Sequence, residues 1–219
     1  MWIALSISIL TLVLILTRPK PLNEATAAAI GALLMLVFRQ VTFPQTLDVL
    51  TANTNVLLFF LGLMIISGVA EQAGFFQWGA YLAVRFAGRS GKGLLITIFV
   101  LGVIVTAFLS NDATALVLTP VVFTLVSQLK LNPLPYMFAT AFIANTASLL
   151  LPVSNPVNLL AVDAFNISLS NYLRYLLIPG LAAILINTLL FMLIFKKDIK
   201  ALFSIDNIQP LEKHDDFFR

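Results

Sequence analysis

The sequence has 219 residues, of which 60% are hydrophobic and 11% are charged, against about 45–50% and about 25% in an ordinary soluble domain. This composition excludes a soluble globular protein. Cysteine is absent and the single histidine, His214, lies in the polar C-terminal part. The chain therefore lacks the residues for thiolate metal sites, cysteine nucleophiles or a Ser-His-Asp triad. We expect neither an enzyme nor a bound metal or cofactor. The formal charge is +3. In a membrane protein the positions of basic residues indicate orientation in the bilayer, so this charge does not suggest a nucleic-acid partner.

Apolar stretches of about 20 residues can cross a bilayer, and the chain begins with such stretches. Residues 1–17, 22–38 and 55–70 are the first three predicted spans, and Asn23 is the expected N-cap of the second. The first lacks the basic start and the small-residue cleavage site of a secretory signal, so we predict a permanent span. Residues 75–87 carry Gln77, Trp78 and Arg85, which is typical of an interfacial helix.

Three further apolar stretches follow, and two of them are interrupted. Residues 94–129 are broken by Ser110, Asn111 and Asp112, and arms of about 16 residues, or about 24 Å, favour a re-entrant hairpin with its tip near the bilayer midplane. Two tight full spans are the alternative, because they return the chain to the same side and give the same charge count. Residues 136–165 are broken at 151–156, where Pro152 and Pro156 predict a broken helix. Residues 172–195 form a closing span, and the chain after residue 196 is polar enough to be a tail or linker.

These elements together predict an all-α integral membrane protein. It has about five transmembrane helices, an interfacial helix, one re-entrant hairpin and one broken helix. Residues 1–200 hold all of the predicted membrane elements, and residues 201–219 form a polar cytoplasmic tail or the start of a linker.

Lysine and arginine residues are distributed unevenly between the predicted loops. With residue 1 outside, two basic residues, Arg39 and Arg174, also fall outside. Nine fall in the cytoplasm: Arg18, Lys20, Arg85, Arg89, Lys92, Lys130, Lys196, Lys197 and Lys200. The positive-inside rule therefore predicts a multi-pass protein of the plasma membrane with its N-terminus outside and its C-terminus in the cytoplasm.

Polar residues concentrate at the two interruptions. Backbone groups freed from a helix inside hydrocarbon are costly unless protein or water satisfies them, so each interruption indicates a site. An aspartate at the bilayer centre costs about 2.5–3.5 kcal/mol and usually marks an ion or proton pathway, which singles out Asp112. Isolated Ser67, Thr106 and Asn187 are instead expected to bond neighbouring helices. The candidate substrate- and ion-binding residues are Ser110, Asn111, Asp112, Thr114, Asn145, Thr146, Ser148, Ser154, Asn155 and Asn158.

The two interruptions also carry a family resemblance. Residues 108–121 read FLSNDATALVLTPV, and residues 144–159 read ANTASLLLPVSNPVNL. In this order and spacing they resemble the arsenite efflux permeases (arsenical pump membrane proteins) of the ion transporter superfamily, and residues 71–78 and 195–199 look similar too. The resemblance implies a secondary transporter whose sites lie at the hairpin tip and the broken helix. It also implies a chain of about twice this length with two inverted repeats, of which residues 1–200 would be one transporter half and residues 201–219 the start of the linker. In some systems a peripheral ATPase is a partner. Such permeases often carry an aspartate where Asn145 stands.

Three functions follow as hypotheses. The favoured one is proton- or cation-coupled efflux of arsenite or antimonite. Because the chain has no thiolate, the solute would be bound as its neutral hydroxide through hydrogen bonds. Asp112 would carry the coupled proton. The second is sodium-coupled transport of a dicarboxylate or another divalent anion, which a negative Asp112 would repel. The third is a non-transporting fragment or structural membrane subunit.

The expected partners are the lipid bilayer, a small inorganic solute, a coupling ion and a second transporter half. Five crossings is an odd number, so a second repeat would enter the membrane upside down, as an inverted repeat requires. The strong charge bias disfavours an antiparallel homodimer. We therefore expect the second half to be a separate chain or the missing part of a truncated product.

Overall fold

The protein is helical throughout the part that the structure, a computed structural model, describes: residues 2–200 and 202–204. The rest of the predicted tail, 201 and 205–219, lies outside the described residues. The helices are α1 Trp2–Thr17, α2 Glu24–Val37, α3 Phe43–Ala52, α4 Thr54–Gln72, α5 Phe75–Phe86, α6 Gly91–Phe108, α7 Thr119–Gln128, α8 Leu134–Ala147, α9 Pro156–Ala164 and α10 Leu169–Ile194. A π turn, Ala113–Leu118, precedes α7, and short 3-10 turns span Pro152–Ser154 and Asp198–Lys200.

The chain divides into two compact units, Met1–Asn55 and Val56–Arg219. In the first unit α1 packs against α2, and Gly31 lies directly against Thr11, a small-residue contact common between membrane helices. Asn23 caps α2 as predicted, accepting a hydrogen bond from the Thr26 backbone N–H at 2.8 Å. Arg18 forms an ion pair with Glu24 between the two helices.

Helix α3 was not predicted. It has ten residues, too few for a span, and a search for long apolar stretches passes over it. Its signal is local: the Thr42 hydroxyl and the Gln45 side chain cap each other's backbone N–H groups, with Pro44 in the first turn. The residues between the second and third predicted spans are therefore largely helical.

The core of the second unit lies where α6 and α8 pack together. Helices α5 and α7 each contact α8 or α6, and α10 packs along α8. Gly102 on α6 permits this close approach, because a side-chain carbon there would meet Ile143 on α8. The largest fully buried side chains of this core include Tyr136, Phe76, Phe99, Leu94, Leu95, Ile98 and Leu118.

Among the residues that the structure describes, three helices are long and apolar enough to cross a membrane: α4, α6 and α10. Shorter apolar helices are Trp2–Thr17, Glu24–Val37 and Ala113–Gln128. Many large apolar side chains point outward, among them Met64, Ile178 and Ile186, and an apolar surface of this extent is solvated by lipid rather than by water. The chain is an all-α, multi-pass membrane protein.

Helix α5 has two unlike faces. Phe76, Ala80 and Val84 are buried in the core, whereas Trp78 and Arg85 are exposed. Twelve residues extend about 18 Å, short of the roughly 30 Å hydrocarbon core. The predicted interfacial helix thus has one face committed to packing against α6 and α7.

After α10 the chain stays against the core in what we call the return segment, residues 198–200 and 202–204. Ile199 and Phe203 in this segment are buried in the main core. The Phe203 N–H donates to the Arg89 carbonyl at 3.1 Å, and Asp198 accepts from the Asn132 amide at 3.0 Å. The two buried side chains, Ile199 and Phe203, anchor the segment beside the start of α6, whereas Leu202 is exposed.

Candidate functional site

The first interruption separates α6 from the π turn. Helix α6 ends at Phe108, and the chain becomes helical again at Asn111. Ser110 caps the new helix: its hydroxyl accepts from the Ala113 N–H at 3.0 Å, and its carbonyl accepts from the Thr114 N–H at 3.3 Å. The predicted break in the helix is confirmed, but it lies at Leu109 and Ser110, and Asn111 and Asp112 form the start of the next helical segment.

Asn111 and Asp112 at this break retain polar atoms without partners. The Asn111 Oδ1 is buried and has no hydrogen-bond partner in the part of the chain that the structure describes. A buried acceptor left in this state costs about 1–3 kcal/mol. The Asp112 side chain is exposed. Both residues stand at the N-terminal end of a helix, where backbone N–H groups favour negative charge.

Thr114, by contrast, forms a hydrogen bond across the break. Its hydroxyl lies 2.8 Å from that of Thr106, and both residues are fully buried. This contact joins the last turn of α6 to the π turn across the interruption. The prediction that Thr106 bonds a neighbouring helical segment is confirmed.

The second interruption separates α8 from α9. Helix α8 ends at Ala147, and α9 begins at Pro156 after the 3-10 turn, which confirms the predicted break. Asn155 is the N-cap of α9, accepting from the Val157 N–H at 2.9 Å. Across the gap, the Asn158 amide donates to the Ser148 carbonyl at 2.8 Å. Asn155 and Asn158 therefore shape the break through their own side chains.

Ser154 brings the two interruptions together. It is fully buried, and its hydroxyl donates to the Ala107 carbonyl at 3.2 Å. Ala107 lies in the last turn of α6, where carbonyls lack a donor within the helix. The sequence predicted two polar breaks 44 residues apart at Ser110 and Ser154, and the structure places them side by side.

The remaining candidates lie in the last turns of α8. The Thr146 hydroxyl donates to the Phe142 carbonyl and accepts from the Asn187 amide of α10, both at 2.9 Å. The Ser148 hydroxyl donates to the Asn145 carbonyl at 2.6 Å. The Asn145 side chain itself is exposed. Asn187 bonds a neighbouring helix as predicted, whereas the buried Ser67 hydroxyl has no partner within the described residues.

The ten candidates therefore divide into two groups. Most are occupied in bonds that shape the breaks: Ser110, Thr114, Thr146, Ser148, Ser154, Asn155 and Asn158. Three retain binding capacity, namely the exposed Asp112 and Asn145 and the Oδ1 of Asn111. Carboxylate and amide groups of this kind bind a solute through hydrogen bonds or take up a proton or cation. Within the described residues no three His, Asp or Glu side chains are grouped to hold a metal ion.

Comparison with known proteins identifies the family. The profile described as "Citrate transporter" matches residues 12–208. The chain belongs to this citrate transporter family. No solved structure matches it.

The relatives of this family member include several named as arsenical pumps. The "Arsenical pump membrane protein" of Escherichia coli is 34% identical over 208 residues, which cover 94% of this chain and 48% of the relative. One from E. coli strain K12 is 36% identical over 91% of this chain and 47% of the relative. The "Putative arsenical pump membrane protein" of Bacillus subtilis strain 168 is 31% identical over 88% and 44%. The chain spans about half the length of these relatives, and the resemblance to arsenite permeases is confirmed.

One pair of polar residues in this citrate transporter family member was not predicted from the sequence. The Thr119 and Thr140 hydroxyls lie 2.9 Å apart and join α7 to α8. The available signal was Pro120 inside a helical stretch, since proline disturbs the preceding turn and leaves carbonyls for side chains to bond.

Proposed function

We propose that this chain supplies one half of a secondary transporter that exports arsenite or antimonite in exchange for protons or another cation. The observation that carries the proposal is the contact between Ser154 and Ala107, which sets the two helix breaks side by side. Breaks of this kind at membrane depth are tolerated where they line a cavity or a site. The arsenical pumps among the relatives support this solute class.

The chemistry of the available side chains suits a neutral hydroxide. Asp112, Asn111 and Asn145 offer carboxylate and amide oxygens that accept hydrogen bonds from the hydroxyl groups of the solute. Cysteine is absent from the chain, so no thiolate of this half can hold arsenic. Asp112 is the residue here that can exchange a proton as solute enters and leaves.

A second half completes the proposed transporter. Asp112 and Asn145 are exposed in this chain, and the chain spans about half the length of its relatives. A second, inverted repeat placed over these residues would enclose the solute between two pairs of breaks. The distribution of basic residues supports an N-terminus outside and Lys196 and Lys197 in the cytoplasm of a plasma membrane. Reporter fusions at both ends test this orientation.

The test of the proposal is arsenite export by Asp112 variants. In an arsenite-sensitive host that also supplies the second half, Asp112→Asn is expected to abolish resistance and efflux driven by a pH gradient in everted vesicles. Asp163→Asn is the matched control, because Asp163 is also exposed and lies at the end of α9. Full-rate export by Asp112→Asn would remove the assigned role of Asp112.

The second candidate is sodium-coupled transport of citrate or a dicarboxylate, which the family profile favours. The charge of Asp112 opposes it, since two like charges 4 Å apart repel by about 4 kcal/mol at an effective dielectric constant of about 20. Sodium-dependent uptake of labelled citrate or succinate, with no change in arsenite tolerance, would establish this function instead.

A non-transporting role is the third candidate, because this chain carries one hairpin and one broken helix. The purified chain is reconstituted alone in liposomes and then together with the second half. We expect arsenite flux with both halves present. Stable, folded protein without flux in either preparation would favour a structural subunit.

A further inference from the structure

The π turn Ala113–Leu118 connects the hairpin tip to α7. Hydrogen bonds in such a turn span five residues instead of four, and π turns are rare and frequently lie at functional sites. Pro120 explains its position, because proline lacks an N–H and its ring collides with the carbonyl four residues earlier, here that of Leu116. Widening the turn relieves the collision.

Threonine hydroxyls hold this turn at both ends. At its start, the Thr114 hydroxyl lies 2.8 Å from that of Thr106 on α6. At its end, the Thr119 hydroxyl lies 2.9 Å from that of Thr140 and 3.3 Å from the Thr114 carbonyl. Thr140 in turn donates to the Met137 carbonyl at 2.8 Å. Because the Thr140 hydroxyl donates to Met137, the Thr119 hydroxyl is the donor toward Thr140, and the Thr114 carbonyl is its second and more distant acceptor. Thr119 thereby bridges the π turn and α8.

We propose that Thr119 is a positioning residue that fixes the π register of the turn and thereby the direction of Asn111 and Asp112. An α register would require the chain between the tip and α7 to shift by one residue. One residue corresponds to about 100° of rotation about the helix axis. The shift would break the Thr106–Thr114 contact or turn Asp112 away from its present direction.

Thr124 supplies a matched control on the same helix. Its hydroxyl donates to the Pro120 carbonyl at 3.0 Å, a bond to the preceding turn that joins no second helix. Replacing Thr124 by valine removes a hydroxyl of similar local chemistry and leaves the π turn and its contact with α8 intact. Thr119→Ser, which keeps the hydroxyl, is the conservative counterpart of Thr119→Val.

The first readout does not depend on transport. The chain contains no cysteine, so Asp112→Cys gives a single thiol at the tip, and its labelling rate by a membrane-impermeant maleimide reports the direction of that position. We expect Thr119→Val to change the rate about fivefold, in proportion to the loss of one hydrogen bond. Thr119→Ser and Thr124→Val are expected to keep the parent rate, whereas Pro120→Ala should change it in the same direction as Thr119→Val.

The second readout rests on the proposed function. With Asp112 intact and the second half supplied, Thr119→Val is expected to raise the KM for arsenite efflux more than it lowers kcat, and Thr119→Ser to restore the KM. Wild-type protein without arsenite efflux would refute the proposed function but leave the labelling result valid.

Equal labelling rates for Thr119→Val and Thr119→Ser would overturn the positioning role. Melting temperatures of the purified variants verify that each is folded. If Thr119→Val is not recovered as folded protein, Thr140→Val and Thr140→Ser carry the same comparison, because Thr140 is the other partner of the bridge.

Discussion

The return segment contacts the core at Gly91. The substitution Gly91→Ala tests whether this contact stabilises the folded protein. Gly91 is buried at the start of α6. A side-chain carbon there would lie 2.7 Å from the Ile199 carbonyl oxygen and 2.7 Å from the Tyr136 hydroxyl oxygen. Favourable contacts between heavy atoms are about 3.5–4.0 Å. The Ile199 oxygen belongs to the backbone, so it cannot rotate away as a side chain would.

The cost of Gly91→Ala follows from what must move. The Tyr136 hydroxyl donates to the Gly91 carbonyl at 3.1 Å, a bond with a net value of about 1 kcal/mol. Shifting the return segment exposes Ile199 or Phe203, now buried, at about 1.5–3 kcal/mol for each side chain. The higher helix propensity of alanine returns at most about 1 kcal/mol. We expect the free energy of unfolding to fall by about 2–4 kcal/mol.

The assay is unfolding of the detergent-solubilised protein, combined with thiol labelling of Phe203→Cys in the presence and absence of Gly91→Ala. Gly68→Ala on α4 is the matched control, because a side-chain carbon there meets nothing within 4 Å. The control should be as stable as the parent or slightly more stable, while Gly91→Ala should be less stable and its position 203 more reactive. If Gly91→Ala matched Gly68→Ala in stability, with position 203 still protected, the packing argument would be refuted.

Two further predictions concern packing and hydrogen bonds at the breaks. Gly102→Ala should lower the free energy of unfolding by about 1–3 kcal/mol through overlap with Ile143. The double variant Gly102→Ala with Ile143→Ala should lose less stability than the sum of the two single losses, and additive losses would contradict the contact. Ser154→Ala leaves the Ala107 carbonyl without its donor, so we expect a loss of about 1–3 kcal/mol. Ser148→Ala, which removes a bond within one helix end, should cost less, and the opposite order in melting temperature would argue against a link between the breaks.

Much of the helical framework could be predicted from the sequence because the signals are local. Apolar length located the spans, Asn23 marked the start of α2, and Pro152 with Pro156 marked the second break. Helix α3 and the return segment were missed because neither is long or apolar. Their positions depend on a reciprocal side-chain cap and on two buried residues, Ile199 and Phe203, whose partners are distant in the chain.

The candidate site could be predicted less fully than the helices, because the sequence does not show which hydrogen-bond partner each polar side chain has. The sequence marks both Ser154 and Asp112 as candidate binding residues inside apolar stretches, and the charge of Asp112 gives it the stronger signal. The structure gives Ser154 a buried acceptor on another helix and leaves Asp112 exposed. A hydroxyl bonded within the protein shapes a site, whereas an exposed carboxylate can bind a solute or a proton. Because exposing a carboxylate to hydrocarbon is unfavourable, the exposure of Asp112 itself argues for a water-filled pathway or a second half over this face.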